Sequence, residues 1–201
     1  MAARPLSLEF VTSAKRMDTL PKTEAEVAFV GRSNVGKSSL INAIAHQKQL
    51  ARVSNTPGRT QLINIFELAD TNYALVDLPG YGYAKAPGHV RKDWGKMIEH
   101  YLLEREELVM VYVLVDGEIG PTKLDVQMLD WMRHEIIPFT VVATKHDKVK
   151  SSKRQRRKVD LALGCGVDQK DVVWVSASKG VNIDRLRSIV LRDLAYTGAD
   201  D

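Results

Sequence analysis

Short apolar runs alternate with stretches of helical spacing along most of the chain. The first run, residues 27–30, stops at Gly31, and residues 37–46 follow with a helix-like pattern. A polar stretch containing Gly and Pro, residues 51–61, precedes two runs at 62–68 and 73–78. The break between those runs, Ala69, Asp70, Thr71 and Asn72, is short enough for a hairpin. Gly and Pro mark residues 79–88 as a loop. Across residues 90–103, Trp94, Met97, Ile98, Tyr101 and Leu102 share one helix face. The pattern then repeats, with a fully apolar strand at 108–115 and a helix at 122–134 opened by Thr122, with Asp125 three residues on. A strand at 137–144, a basic helix at 151–163 closed by Gly164, and a short strand at 172–175 come next. The last helix covers 183–195, with Asn182 placed to cap it.

Continuous β-branched runs alternating with helices predict an α/β chain of three layers, α/β/α, around a mostly parallel sheet. Six strands are expected, with one antiparallel edge strand from the hairpin pair 62–68 and 73–78. Residues 1–22 are polar and weakly patterned and are read as an N-terminal extension, 23–196 as one domain, and 197–201 as a small acidic tail.

Composition narrows the class. Cys165 is the one cysteine, which excludes an intramolecular disulfide and a thiol metal cluster and suggests a buried thiol. The longest apolar run, 108–115, falls far short of the roughly 18 residues that cross a bilayer. No membrane span and a cytoplasmic location are the expectation. The net charge of +4 permits a polyanionic partner without requiring one.

Gly31, Arg32, Ser33, Asn34, Val35, Gly36, Lys37 and Ser38 spell G-x-x-x-x-G-K-[ST] between a strand and a helix. Glycine lets backbone approach phosphate without a Cβ in the way. Successive N–H groups and the helix N-terminus, including Ser39, then face negative charge. Lys37 is placed for the β/γ oxygens and Ser38 for Mg²⁺. A chance match is on the order of 1% in a chain of this size.

The motif does not choose between purines. Asp77, Leu78, Pro79 and Gly80 follow a strand whose C-terminal end faces the ligand crevice of a parallel sheet. Asp77 there suits Mg²⁺ through water, and the Gly80 N–H suits a γ-phosphate. Thr144, Lys145, His146 and Asp147 end a later strand. A carboxylate at Asp147 accepts from guanine N1–H and the N2 amino group. Adenine would leave it desolvated and unpaired, a discrimination of about 10⁴-fold. The stem of Lys145 is long enough to lie over the base, and Thr144 offers a hydroxyl where many GTPases carry Asn. Ser176, Ala177 and Ser178 end the last strand, with backbone placed to donate to guanine O6. Gly58, Arg59, Thr60, Gln61 and Leu62 close a polar loop, and Thr60 is a candidate γ-phosphate sensor and Mg²⁺ ligand. Together these predict a GTP/GDP site with Mg²⁺.

In these segments the chain resembles the EngB (YihA/YsxC) family of bacterial TRAFAC GTPases. The selective ones are Asn55-Thr56-Pro57-Gly58-Arg59-Thr60-Gln61 and Asp77-Leu78-Pro79-Gly80-Tyr81-Gly82-Tyr83-Ala84, and the likeness spans roughly residues 7–195. The resemblance implies a Ras-like P-loop GTPase fold, with Mg²⁺ ligands at Ser38 and Thr60. It also implies a role in assembling the large ribosomal subunit, with an associated need in cell division and septation. Thr144 is usual in the family.

Where many small GTPases place Gln after the D-x-x-G glycine, this chain has Tyr81. Three routes follow: slow hydrolysis stimulated by a partner, a K⁺ held with help from Asn34 that supplies positive charge beside the phosphates, or a nucleotide-controlled binding module with negligible hydrolysis. The catalytic candidates are therefore Lys37, Thr60, Gly80 and Asn34. A basic run of Lys148, Lys150, Lys153, Arg154, Arg156, Arg157 and Lys158 is either a solvated helix face or a patch for rRNA phosphates. A monomer is expected. A P-loop ATPase or small-molecule kinase is the third class, and Asp147 argues against it.

Overall fold

The computed structural model describes residues 4–51, 62–81 and 88–196, with 88–94 by backbone alone. Seven strands and five α-helices alternate: β1 (Leu8–Ala14), β2 (Ala25–Gly31), α1 (Lys37–Ala45), β3 (Ile63–Leu68), β4 (Tyr73–Asp77), α2 (Gly88–Glu104), β5 (Leu108–Asp116), α3 (Lys123–His134), β6 (Phe139–Thr144), α4 (Arg154–Cys165), β7 (Val173–Trp174) and α5 (Ile183–Ala195). They form one sheet in the order β1-β3-β4-β2-β5-β6-β7. β4, β2, β5, β6 and β7 run parallel, while β3 is antiparallel to both of its neighbours.

Alternation along the strands divides the core. Ala28 and Val30 of β2 and Val111, Val113 and Val115 of β5 meet Ile98 and Tyr101 of α2, Leu129 and Met132 of α3, and Leu161 of α4. Val27 and Phe29, with Tyr112 and Leu114, meet Leu40 and Ile44 of α1 and Leu186, Val190 and Leu194 of α5. Phe29 and Tyr112 stack at 5.1 Å. Both faces of the sheet are thus covered, the arrangement expected when central strands read as unbroken apolar runs.

The count of six strands is corrected to seven, and the hairpin does not form the edge. The added strand comes from residues 8–14, inside the stretch read as an extension. Only Leu8 and Ala14 at its ends are buried, so period-2 alternation is missing. Its register shifts between Phe10 and Thr12, a bulge that suits an edge strand. Pairing to β3 defines this strand, and pairing is invisible in its own residues.

Two helix ends also differ from expectation. α4 runs through Gly164 and closes at Gly166, whose φ of 64° is the left-handed conformation glycine favours. Gly164 is small for another reason: a Cβ there would lie 2.7 Å from Pro121 Cγ. Asn182 precedes α5 with φ 56°, and its side-chain amide donates to Trp174 O at 2.7 Å rather than capping the helix. Thr122 behaves as anticipated, since its N–H and hydroxyl both donate to Asp125 Oδ2 at 2.7 Å. Among the described residues no helix is long and apolar enough to cross a membrane.

Candidate functional site

The segments singled out by sequence converge on the C-terminal edge of the parallel strands. The turn from β2 into α1 reverses through Asn34 (φ 66°) and Gly36 (φ 105°). Gly36 is the N-cap of α1, and the first helical bond runs from Leu40 N–H to Gly36 O. Helix geometry therefore leaves the amides of Lys37, Ser38 and Ser39 without intrahelical acceptors. Gly31 is enclosed: a Cβ would meet Leu114 Cβ, Leu114 O and Val35 Cγ1, each at 3.0 Å. Val35, Leu78 and Pro79 turn buried side chains inward, so only their backbone is offered to a ligand. Asn34 is exposed.

Lys37 Nζ contacts Asp77 Oδ1, and both side chains are buried. Asn64 Nδ2 donates to the other oxygen of Asp77 at 3.3 Å. This places an ammonium and a carboxylate by the helix start whose amides at Lys37, Ser38 and Ser39 lack intrahelical acceptors, with the Ser38 hydroxyl one residue away. Hydroxyl and carboxylate oxygens are the donors a hard divalent cation takes. Among the described residues no cluster of three or more His, Cys, Asp or Glu side chains could hold a metal unaided. Mg²⁺ is a hard cation bound by one or two protein oxygens plus substrate phosphates and water, and the Ser38 hydroxyl and Asp77 carboxylate are oxygens of that type.

Beyond Gly80 the chain folds onto the phosphate loop. Ser33 N–H donates to Tyr81 O at 3.1 Å, and Tyr81 N–H to Gly31 O at 3.3 Å. A Cβ on Gly80 would come within 3.1 Å of Ser33 N. The Tyr81 phenol donates to Asp125 Oδ1 at 2.7 Å, and Arg32 Nε lies 3.8 Å from Asp125 Oδ2. Burial, then the Asp125 charge and hydrogen bond, pushes the Tyr81 phenol well above its ordinary range. It stays a neutral donor.

The second half of the site is tied to the first. Thr144 Oγ1 donates to Val35 O at 2.7 Å and is 3.3 Å from Val115 O. The threonine hydroxyl thus joins the β6 end to the phosphate loop. Lys145 takes φ 55° and sends its ammonium to Asp116 Oδ2 at 2.7 Å. Asp116 is itself held by Glu118 N–H at 2.9 Å. His146 donates its N–H to Val175 O at 3.0 Å, and its ring meets Trp174 edge-on at 5.8 Å. Burial, with Arg154 and Lys158 nearby, lowers the imidazole's pKa. Asp147 accepts from Ser176 Oγ at 2.6 Å, and that bond is the main cause of its depressed pKa. Ser176 Oγ also accepts from Lys179 N–H at 3.1 Å and lies 3.2 Å from Ser178 Oγ, so the 176–178 turn is built around it.

Of the predicted residues, 31–39, 77–80, 144–147 and 176–178 are brought together. Gly58, Arg59, Thr60 and Gln61 lie outside the described residues, and Leu62 is half-buried just before β3. Sequence reasoning missed Asp116 and Asn64, and it read Asp125 only as the companion of Thr122 at the start of α3. Asp116 was findable, because an Asp ending an apolar strand beside the crevice is the argument that found Asp77. The basic run is less free than its sequence suggests. Arg154 Nε donates to Val149 O at 3.1 Å, Arg157 to Ile119 O at 3.4 Å, and Arg156 pairs with Asp160 at 3.7 Å.

Comparison with known proteins agrees with this geometry. Residues 26–145 match the family model described as 50S ribosome-binding GTPase. The "Probable GTP-binding protein EngB" of Desulforamulus reducens is 45% identical over 187 residues, covering 92% of this chain and 91% of that one. Its counterpart in Pelobacter propionicus is 46% identical over 188 residues, covering 93% and 94%. A crystal structure of a probable GTP-binding protein engB superposes with a TM-score of 0.70 at 28% identity, covering 85% of this chain and 99% of that one. Aquifex aeolicus Era bound to GDP·AlF4⁻ superposes at 0.67 with 22% identity, covering 85% and 57%, a likeness of fold.

Proposed function

The chain belongs to the EngB family of GTP-binding proteins and hydrolyses GTP; from that premise we propose a monomeric, cytoplasmic switch that assists assembly of the large ribosomal subunit. An associated need in cell division and septation belongs to the same reading. What supports the reading is one edge of one sheet that carries Lys37 with Asp77, the helix-start amides at residues 37–39, and Asp147, whose carboxyl Ser176 holds below its ordinary range.

In this reading residues 31–39 cradle the phosphates with backbone N–H groups. Lys37 would leave Asp77 for the β/γ oxygens, which would free Asp77 to accept from water on a bound metal. Ser38 and Thr60 would hold Mg²⁺, which when bound withdraws charge from the phosphate oxygens. Asp147 accepts from guanine N1–H and N2, the Ala177 backbone donates to O6, and Lys145, aimed by Asp116, lies over the base. The Gly80 N–H bonds the γ-phosphate.

Tyr81 spends its phenol on Asp125, so it does not orient the attacking water. Intrinsic hydrolysis is accordingly slow, and the missing charge comes from a partner or from K⁺ beside Asn34. Turnover in KCl and NaCl, for the parent and Asn34→Ala, tests the cation: a KCl advantage lost in the variant supports it, and four equal rates remove it. The reading as a whole is tested by competition among GTP, GDP and ATP and by nucleotide-dependent co-sedimentation with large subunits. Single-turnover hydrolysis with and without subunits separates a stimulated enzyme from a module in which occupancy alone matters. ATP binding as tight as GTP binding would sink the site assignment, and absence from the subunit fraction in every nucleotide state would sink the assembly role.

A further inference from the structure

A second surface, away from the nucleotide site, carries charge without partners. The connection from β1 to β2, residues 15–24, crosses α2 and leaves a cleft of about 770 Å³ between them. Its floor is apolar and anchored: Leu20 is buried in the core, and Met17 and Met97 pack against it. Its walls are basic. Two of the lining cations are already committed, because Arg16 pairs with Asp18 and Arg105 with Glu26 and Glu107. Among the described residues, Asp18 and Glu107 are the only acids in the lining. Lys15, Lys22 and Lys96 are therefore left, among the described residues, as exposed ammonium groups facing one cleft with no carboxylate to answer them; His100 lies beside Lys96 on α2.

We infer that this cleft is a docking surface for the phosphodiester backbone of RNA. The inference rests on the reading of the chain as a ribosome-assembly GTPase. Three uncompensated lysines around an apolar, core-packed floor suit a polyanion. Among the described residues the lining has no Phe, Tyr or Trp to stack a base, so the contact is argued from backbone charge rather than from sequence. On and just before α4, Arg154 and Arg157 are bonded to backbone carbonyls and Arg156 pairs with Asp160, while the exposed Lys148, Lys150 and Lys153 form a second basic surface, the comparison for the cleft. α2 also begins at Gly88, a few residues past Gly80, so RNA held here touches the helix that follows the γ-phosphate loop.

The test uses the full chain carrying Lys15→Glu, Lys22→Glu and Lys96→Glu together. The same positions as Gln form a milder variant, and Lys148→Glu with Lys150→Glu and Lys153→Glu forms a comparison. The probes are a fluorescein-labelled oligouridylate and an RNA duplex of arbitrary sequence, read by anisotropy over a salt series. The triple Glu variant is expected to bind at least about tenfold more weakly at low salt, with the log–log salt slope shallower by about 2–3. The Gln variant falls between it and the parent, and GDP affinity is unchanged in both. Equal affinity and slope in parent and triple variant would overturn the inference. So would a parent that binds neither RNA, or one that binds an oligoglutamate peptide through these lysines and RNA not at all. Co-sedimentation with large subunits is scored separately. A parent that binds RNA through the cleft but never sediments with subunits defeats the assembly reading alone. One that sediments equally well with all three lysines reversed defeats the cleft alone.

Discussion

Two buried carboxylates mark opposite ends of the sheet, and they are served very differently. Glu26, at the start of β2, accepts four hydrogen bonds: from Thr23 at 2.7 Å, Tyr101 at 2.5 Å, and Arg105 at 2.6 and 3.0 Å. Asp77, at the end of β4, has Lys37 on one oxygen and a longer bond of 3.3 Å from Asn64 on the other. Both are shut away from water, yet one is saturated and the other is not. A saturated buried charge has nowhere better to go, and the Glu26 network fixes the non-catalytic end. The Asp77 pair consists of two groups that a nucleotide and its metal can each satisfy more fully. The same kind of ion pair is therefore a clamp at one end and exchangeable at the other.

The sharpest break in this comparison is at Asp147. Asp147→Ala should abolish about 10⁴-fold of the preference for GTP over ATP while leaving the fold intact, measured by displacement of a fluorescent GDP. Retained selectivity would remove Asp147 from base recognition. Next comes Glu26→Ala, which strands the Tyr101 hydroxyl and leaves Arg105 with Glu107 and the Pro21 carbonyl alone. It should cost about 3–5 kcal/mol and lower the melting temperature by on the order of 10 °C, with GDP affinity of the folded fraction unchanged. If that variant lost nucleotide affinity instead, the two ends would not be independent.

Tyr81→Phe is a smaller change, because Asp125 keeps its two Thr122 donors. About 1 kcal/mol of stability should go. Ser33 N–H donates to the Tyr81 backbone carbonyl, which the substitution keeps, so losing the phenol anchor should raise the GTP-to-GDP affinity ratio at most several-fold, by loosening the segment that carries that carbonyl. An unchanged ratio would show that the Tyr81 pairing does not oppose the γ-phosphate. The smallest effect is with pH. Ser176 holds the Asp147 carboxyl below its ordinary range, so its ionised form is complete above that range and is lost only as pH falls through the depressed value. Guanine-over-adenine selectivity should accordingly stay flat between about pH 5 and pH 8. A decline beginning near pH 6 would mean another group reads the base.

The phosphate loop was legible from sequence because its chemistry is contiguous. A glycine at positive φ, a run of amides and a lysine opening a helix all lie within residues 31–39, and backbone geometry over a few residues is dictated locally. The strand ends bearing Asp77, Thr144–Asp147 and Ser176 were legible for a similar reason, since apolar runs fix the strands and parallel topology fixes which end faces the ligand. Tertiary structure alone decided the partners. Asp147 meets Ser176 across 29 residues, Lys145 meets Asp116 across 29, and Tyr81 meets Asp125 across 44. A side chain's spacing in sequence carries no information about which distant neighbour packing will deliver. The same holds for β1, a strand only because β3 offers it an edge, and for the three lysines of the α2 cleft, ordinary until two remote segments leave them facing one another unpaired.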